Sequence, residues 1–331
     1  MATIGNTVAT LSDWAQRLDP NGQTSDIVEL LSQTNEIIQD QLWMEGNLPT
    51  GHRVTSRTSL PSVAWRLLNS GVTPSKSTTA QVDEQVGMLE AYSEVDKDLA
   101  ELNGNSAAFR LSEAQAFIES MNQEFAQTLF YGDQGTAPEE FTGLSPRYAS
   151  STGTTGQNVI KAGGSGSDNS SVWLVAWGAN TLSGIFPKGS KAGLQHEDLG
   201  LVTVETGTGI GTGRMRAYRD HWQWKCGLMV RDWRYAVRIC NIDISNLVAE
   251  SSAADLIKSM LKAIHRLPSQ TLGRPVFYAN RTVLEMLDIQ AMQKSNLYLS
   301  VGNEEGNRKV SLRGIPIRLC DQLLETEATV A

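Results

Sequence analysis

The sequence predicts an α+β chain in which helices and antiparallel strands are segregated rather than alternating. Two observations carry this. Apolar residues recur at helical spacing in 25–43, 112–130, about 252–266 and 280–293, whereas 222–240 switches to period two. No alternation of strand and helix of the kind that builds a parallel sheet is present, and no internal repeat is evident.

In 25–43 the helical positions are Ile27, Leu30, Leu31, Ile37, Ile38 and Leu42, and Ser25 or Asp26 can cap the start by accepting from free amides. Over 46–79 the pattern dissolves into Gly, Pro, Ser and Thr. Extended pieces at 54–58 and 63–68 make this a projecting hairpin or loop. The best-marked helix is 112–130. Ser112 and Gln115 have capping-box spacing, and Ala114, Phe117, Ile118, Met121, Phe125 and Leu129 form one stripe. Gly132 supplies the stop. Residues 150–171 are mostly Ser, Thr, Gly and Asn, which predicts a long loop.

Trp222, Trp224, Cys226, Leu228 and Val230 then alternate with Gln223, Lys225, Gly227 and Met229. Trp233, Tyr235, Val237 and Ile239 alternate with Arg234, Ala236, Arg238 and Cys240. Two strands joined near Arg231 and Asp232 is the simplest account. Leu256, Ile257, Met260, Leu261 and Ile264 mark the next helix, and Val283, Leu284, Met286, Leu287 and Ile289 the last. A strand pair around 310–319, containing Gly314-Ile315-Pro316, closes the chain.

With 331 residues, 40% of them apolar, the chain can bury a sizeable core, and 29 glycines point to a loop-rich architecture. A net charge of −8, from 28 basic and 36 acidic residues, argues against a general nucleic-acid binder. Segment 81–140 alone holds 13 acidic and 2 basic residues, a local −11 that reads as a solvated face. Cys226, Cys240 and Cys320 cannot all be paired within one chain, which suggests a reducing compartment. The N-terminus carries no basic, apolar signal pattern, and the longest clean apolar run, at 172–177, is too short to span a bilayer. The expectation is a soluble intracellular protein with no membrane partner.

Sites of chemistry are sought next. His52, His196, His221 and His265 are scattered without His or Cys partners at metal spacing, and His196-Glu197-Asp198 reads as a surface turn. The cysteines form no CxxC, and Cys226 and Cys240 read as small core residues. Gly207 to Gly213 lacks the sixth-position glycine of a dinucleotide loop, since Thr212 stands there, and a strand follows where a helix is needed. No GxSxG elbow occurs, and the adjacent carboxylates Glu139-Glu140 and Glu304-Glu305 make no acid/base pair. No catalytic, cofactor-binding or metal-ligating residue is therefore assigned, no cofactor is expected, and the chain reads as a non-enzyme.

Segment 214–240 sets Arg214, Arg216, Arg219, Lys225, Arg231, Arg234 and Arg238 against Asp220 and Asp232, with aromatics interleaved. One reading is a single-strand nucleic-acid platform. The plainer one puts the aromatics in the core and the arginines on the opposite face, as the opposite parities predict. Such a basic face and the acidic 81–140 would be complementary between copies and favour homo-assembly.

Phe125-Ala126-Gln127-Thr128-Leu129-Phe130-Tyr131-Gly132-Asp133, leading to Phe141-Thr142-Gly143-Leu144, resembles the end of the long spine helix in major capsid proteins of tailed bacteriophages, and more closely the short-tailed branch. Trp222 through Asn241-Ile242-Asp243 resembles that branch's central strands. Gly314-Ile315-Pro316-Ile317-Arg318, followed by Asp321-Gln322-Leu323-Leu324, resembles its closing strand and tail. The blocks are scattered over about two thirds of the chain, in the right order.

The resemblance implies an N-terminal arm at 1–45, an extended loop at 46–80, and a peripheral domain at 81–240 holding the spine helix 112–130 and central strands. An axial domain at 241–310 and a closing strand and tail at 311–331 complete it. It implies a virion shell subunit made in the host bacterial cytoplasm, tiling with itself into hexamers and pentamers of an icosahedral head. Scaffolding and portal proteins, and a decoration protein where a head carries one, are implied partners, with double-stranded DNA only as non-specific content. A precursor shell that expands during packaging is implied too. Some members weld subunits by a Lys–Asn isopeptide bond. Lys76 is the lone lysine between Gly46 and Asp96 and so the one candidate on the extended loop, although a solvated loop lysine is the plainer reading.

Overall fold

The computed structural model describes residues 33–102, 106–205, 213–250, 254–293, 299–304 and 307–331. In chain order these form helix α1 (Ile37–Asp40), strands β1 (Trp43–Glu45), β2 (Gly51–Ser59), β3 (Thr78–Gln85) and β4 (Gly87–Asp96), and helices α2 (Lys97–Ala100) and α3 (Ser106–Tyr131). Next come β5 (Val159–Lys161), β6 (Asn169–Trp177), β7 (Leu182–Phe186), β8 (Gln195–Glu205), β9 (Arg214–Val230) and β10 (Ala236–Asp243). Then follow α4 (Ile244–Val248), α5 (Leu256–Arg266), β11 (Arg274–Ala279), α6 (Arg281–Gln293), β12 (Leu299–Glu304), β13 (Asn307–Leu312) and β14 (Ile315–Leu319). No helix among the described residues is long and apolar enough to cross a membrane.

The described residues fall into two compact units. The smaller takes in Gln33, Met88–Phe125 and Gly193–Lys225, and the larger Thr34–Gly87, Ala126–Ala192 and Cys226–Ala331. In the smaller unit β8 pairs antiparallel with the first part of β9, from Gln195↔Gln223 to Glu205↔Arg214. Val95, Ala100 and Phe109 form its apolar centre with Tyr218 packed against them. Phe125 stacks on Trp224 at 4.4 Å. The Asp96 side chain accepts from the Asp98 amide and so starts α2.

In the larger unit β6 lies between β10 and β11, antiparallel to both. β11 runs parallel to β14, which turns back from β13. Every residue of β6 is buried, which explains its unbroken apolar run: a strand covered on both faces has no polar parity to show. Trp173 anchors the core, with Phe130 tilted against it at 6.1 Å and Tyr148 edge-on at 5.8 Å. Arg313 and Gly314 both have positive φ, 53° and 81°, which gives the two-residue turn that joins β13 to β14. The closing strand pair is thus as the sequence predicts.

Several expectations change. The arm helix is confined, among described residues, to Ile37–Asp40, and Trp43–Glu45 is a strand paired with β7; positions 25–32 lie outside the described residues. Helix α3 begins at Ser106 rather than at position 112, and the Ser112 hydroxyl bonds back to the Phe109 carbonyl, so Ser112 is not the cap. Gly132 does end it, for a Cβ there would sit 2.6 Å from the carbonyls of Thr128 and Phe141. The predicted loop 150–171 contains β5 and the start of β6. The two strands expected over 222–240 are present as β9 and β10, the second starting only at Ala236; β9 pairs with β4, β7 and β8, and β10 with β5 and β6. The turn between them is a short 3-10 helix, Trp233–Tyr235. Helices α5 and α6 fall where the periodicity puts them, and Asp255 caps α5 at the Lys258 amide.

Candidate functional site, an exposed hairpin

β2 and β3 form a hairpin, paired from Gly51↔Gln85 to Ser59↔Thr78 with a register shift between Arg57 and Ser59. Thr55, Thr58, Thr78, Thr79, Val54 and Val82 give it the β-branched content that favours strands. Arg53 and Asp83 face each other across it in a two-pronged ion pair of 2.6 and 2.7 Å. The side chain of Asn47 brackets Arg53, accepting from its amide at 2.7 Å and donating to its carbonyl at 3.0 Å.

The root of the hairpin is locked. Glu84 is buried and receives both guanidinium nitrogens of Arg147, at 2.7 and 2.5 Å. Arg147 also donates to the carbonyls of Gly143 and Thr142, both at 3.1 Å. Val54 packs with Ile185 and Met229. His52 is buried beside Arg231, 3.3 Å away, and burial, then the Arg231 charge, lowers its pKa. Gly51 is required, since a Cβ would run into the Glu84 carbonyl.

The tip is the opposite. Leu60, Val63, Trp65, Leu67 and Leu68 are 77, 92, 104, 80 and 89% exposed. The predicted extended piece at 63–68 is not a strand. The Ser70 amide donates to the Leu67 carbonyl in a turn with Asn69 at φ 64°, and the Ser75 hydroxyl donates to the Ser62 carbonyl. A run of large apolar side chains held out to water marks a surface meant to be covered.

The arginine-rich segment is already engaged. Trp222 and Trp224 are buried, as the parity argument predicts. Arg219 pairs with Glu94, and Arg110 with Asp220 and Asp198 at 2.8 and 2.9 Å. Arg234 clasps Asp232 at 2.7 Å, and Arg238 is buried against Glu327 at 3.0 Å. The expected complementarity between copies is thus met in part within one chain, and Arg238 leaves the solvated face where parity put it. These pairings give no support to the single-strand platform.

His196 lies 2.9 Å from Asp220 and stacks on Trp222, and Asp198 is held by Arg110, so the residues of the surface turn serve separate contacts. Among the described residues no three His, Cys, Asp or Glu side chains are grouped to hold a metal. Cys226 and Cys320 are pushed up to about 12 by burial, which leaves them poor nucleophiles. Residues 207–212 of the glycine run lie outside the described residues.

The described residues thus make a two-unit α+β chain whose β2–β3 hairpin carries an exposed apolar tip. The family model for major capsid protein GP7 matches residues 19–331, and the chain belongs to that family. It is a major capsid protein of the tailed-phage fold. The solved structure of bacteriophage epsilon15 contains a chain 37% identical to it, with a TM-score of 0.80, covering 100% of this chain and 99% of that one. Weaker likenesses are to the capsid of a native GTA particle (10% identity, TM-score 0.46, 68% and 95% coverage) and to the bacteriophage JBD30 capsid (8%, 0.46, 89% and 93%). No curated protein sequence matches the chain.

Proposed function

We propose that this subunit tiles into hexamers and pentamers of an icosahedral phage head around double-stranded DNA, with the hairpin as the element that reaches a neighbouring copy. The observation that carries it is Trp65 and its apolar companions at the tip, whose exposure in one subunit is relieved when another copy covers them. Contacts of about 1,000 Å² are marginal singly, yet many per subunit make a closed shell stable and let early errors dissolve.

In this reading 1–45 is the arm, 46–80 the extended loop, 81–240 the peripheral domain, 241–310 the axial domain and 311–331 the closing strand and tail. The hairpin ladder runs to Gln85, which supports setting the root of the loop a few residues later. Scaffolding and portal proteins, and a decoration protein if the head carries one, would be met during assembly in the host cytoplasm. The role is architectural, without catalysis.

Negative-stain electron microscopy of the chain expressed alone and with its neighbouring genes tests this. Shells, tubes or capsomer rings are expected, and a monodisperse monomer under both conditions would sink it.

A further inference from the structure

After β14 the chain runs on as a strap. Leu323, Glu327 and Val330 are buried, while Leu324, Thr326, Ala328, Thr329 and Ala331 stay exposed. The Glu327 carboxylate reaches three elements: it accepts from the Tyr131 hydroxyl of α3 at 2.5 Å, from Arg238 of β10 at 3.0 Å, and from the Ser171 hydroxyl of β6. Its amide donates to the Asn169 carbonyl at 2.8 Å.

The last residues are read as a strand partner would be. The register of β10 against β6 slips between Ile239 and Ile242, and Asn241 there takes φ 58°. Freed from the ladder, its carboxamide donates to the Val330 carbonyl at 3.0 Å and accepts from the Val330 amide at 2.9 Å. The Ser151 amide and hydroxyl donate to the Ala331 carbonyl at 2.9 and 2.8 Å.

We propose that the groove of Ser151, Asn169, Ser171, Arg238 and Asn241 is a receptor for the chain's own residues 326–331, and that filling it makes a subunit competent to assemble. Arg238 has 4% of its side chain exposed and lies over the Trp173 ring at 5.2 Å. Without Glu327 it is a buried cation lacking its counter-charge, and the Asn241 carboxamide loses both partners. The inference rests on the shell-building reading.

The test compares intact subunits with a chain ending at Glu325, by light scattering and electron microscopy, with and without a synthetic 321–331 peptide. The shortened chain should assemble about a hundredfold less, the loss expected for breaking a buried pair. The peptide should restore assembly, and one carrying Glu327→Gln should restore much less. Full-rate assembly of the shortened chain, or a folded shortened chain that the peptide cannot rescue, overturns the proposal. Should the shortened chain not fold, hydrogen exchange on the intact chain decides. The Glu327 and Val330 amides should be protected together and deprotected together by Glu327→Gln, and exchange at the free rate overturns the strap. An intact chain that never builds shells counts against the shell reading alone, because the strap is still scored by exchange.

Discussion

Glu84 and Arg147 illustrate how much rests on single side chains. Their exposures are 6 and 20%, so deleting the cation leaves a carboxylate with little water to turn to. Arg147→Leu should therefore cost about 3 kcal/mol, read as a lowered urea midpoint of the free subunit. His52 adds a pH dependence whose sign follows from its lowered pKa. The unfolded chain takes up the proton more readily than the folded one. Stability is thus full above the ordinary value of 6.5 and is lost as pH falls through the lower folded value. Between about pH 7 and about pH 5 the wild type should lose more stability than His52→Gln, with equal losses in both ruling this out. Neither residue was legible as a pair in the sequence, because 63 and 179 positions separate each from its partner.

At the scale of elements, periodicity carried α5, α6, the hairpin strand β2 and the β13–β14 turn, where local spacing and a φ-permissive glycine suffice. It failed where burial is two-sided or where signals compete. β10 is buried at all but its last residue, so its parity says nothing about which arginine is solvated, and Arg238 went inward. The start of α3 was missed because Ser112 imitates a cap, although Phe109, one turn earlier, is already in the core. The projecting hairpin was legible from its Gly, Pro, Ser and Thr content, but the extended piece expected at 63–68 is an exposed, strand-free tip, because its apolar side chains have no sheet or helix among the described residues to pack on. Its separation from the core gives a sharp prediction. Trp65→Ser with Leu67→Ser should shift subunit stability by less than about 0.5 kcal/mol yet sharply reduce shell yield in electron microscopy. A comparable fall in stability would show that the tip supports the monomer instead.

For the whole molecule, the chemistry of linkage between subunits is the open choice. Lys76 is exposed on the tip segment between β2 and β3. The expectation is non-covalent tiling, in which mature particles boiled in detergent run as monomer and Lys76→Arg changes nothing. A ladder of multiples that disappears in Lys76→Arg would establish the weld instead. In the proposed tiling, with Leu60, Val63, Trp65, Leu67 and Leu68 of the tip as the contact, apolar area is the main glue between copies. Cooling should accordingly weaken shells more than salt does.

The same hairpin tip makes a timer. Between Ser59 and Thr78 the backbone has no ladder partner, and Trp65, Arg66 and Leu67 offer bonds that common proteases favour. A free subunit is therefore open to a single nick, after which the β2–β3 ladder still holds the two pieces together. In the proposed tiling, a subunit seated in a shell has that segment shielded by its neighbour. On that reading, the fraction nicked in a cell extract should rise with the time subunits wait before they are enclosed.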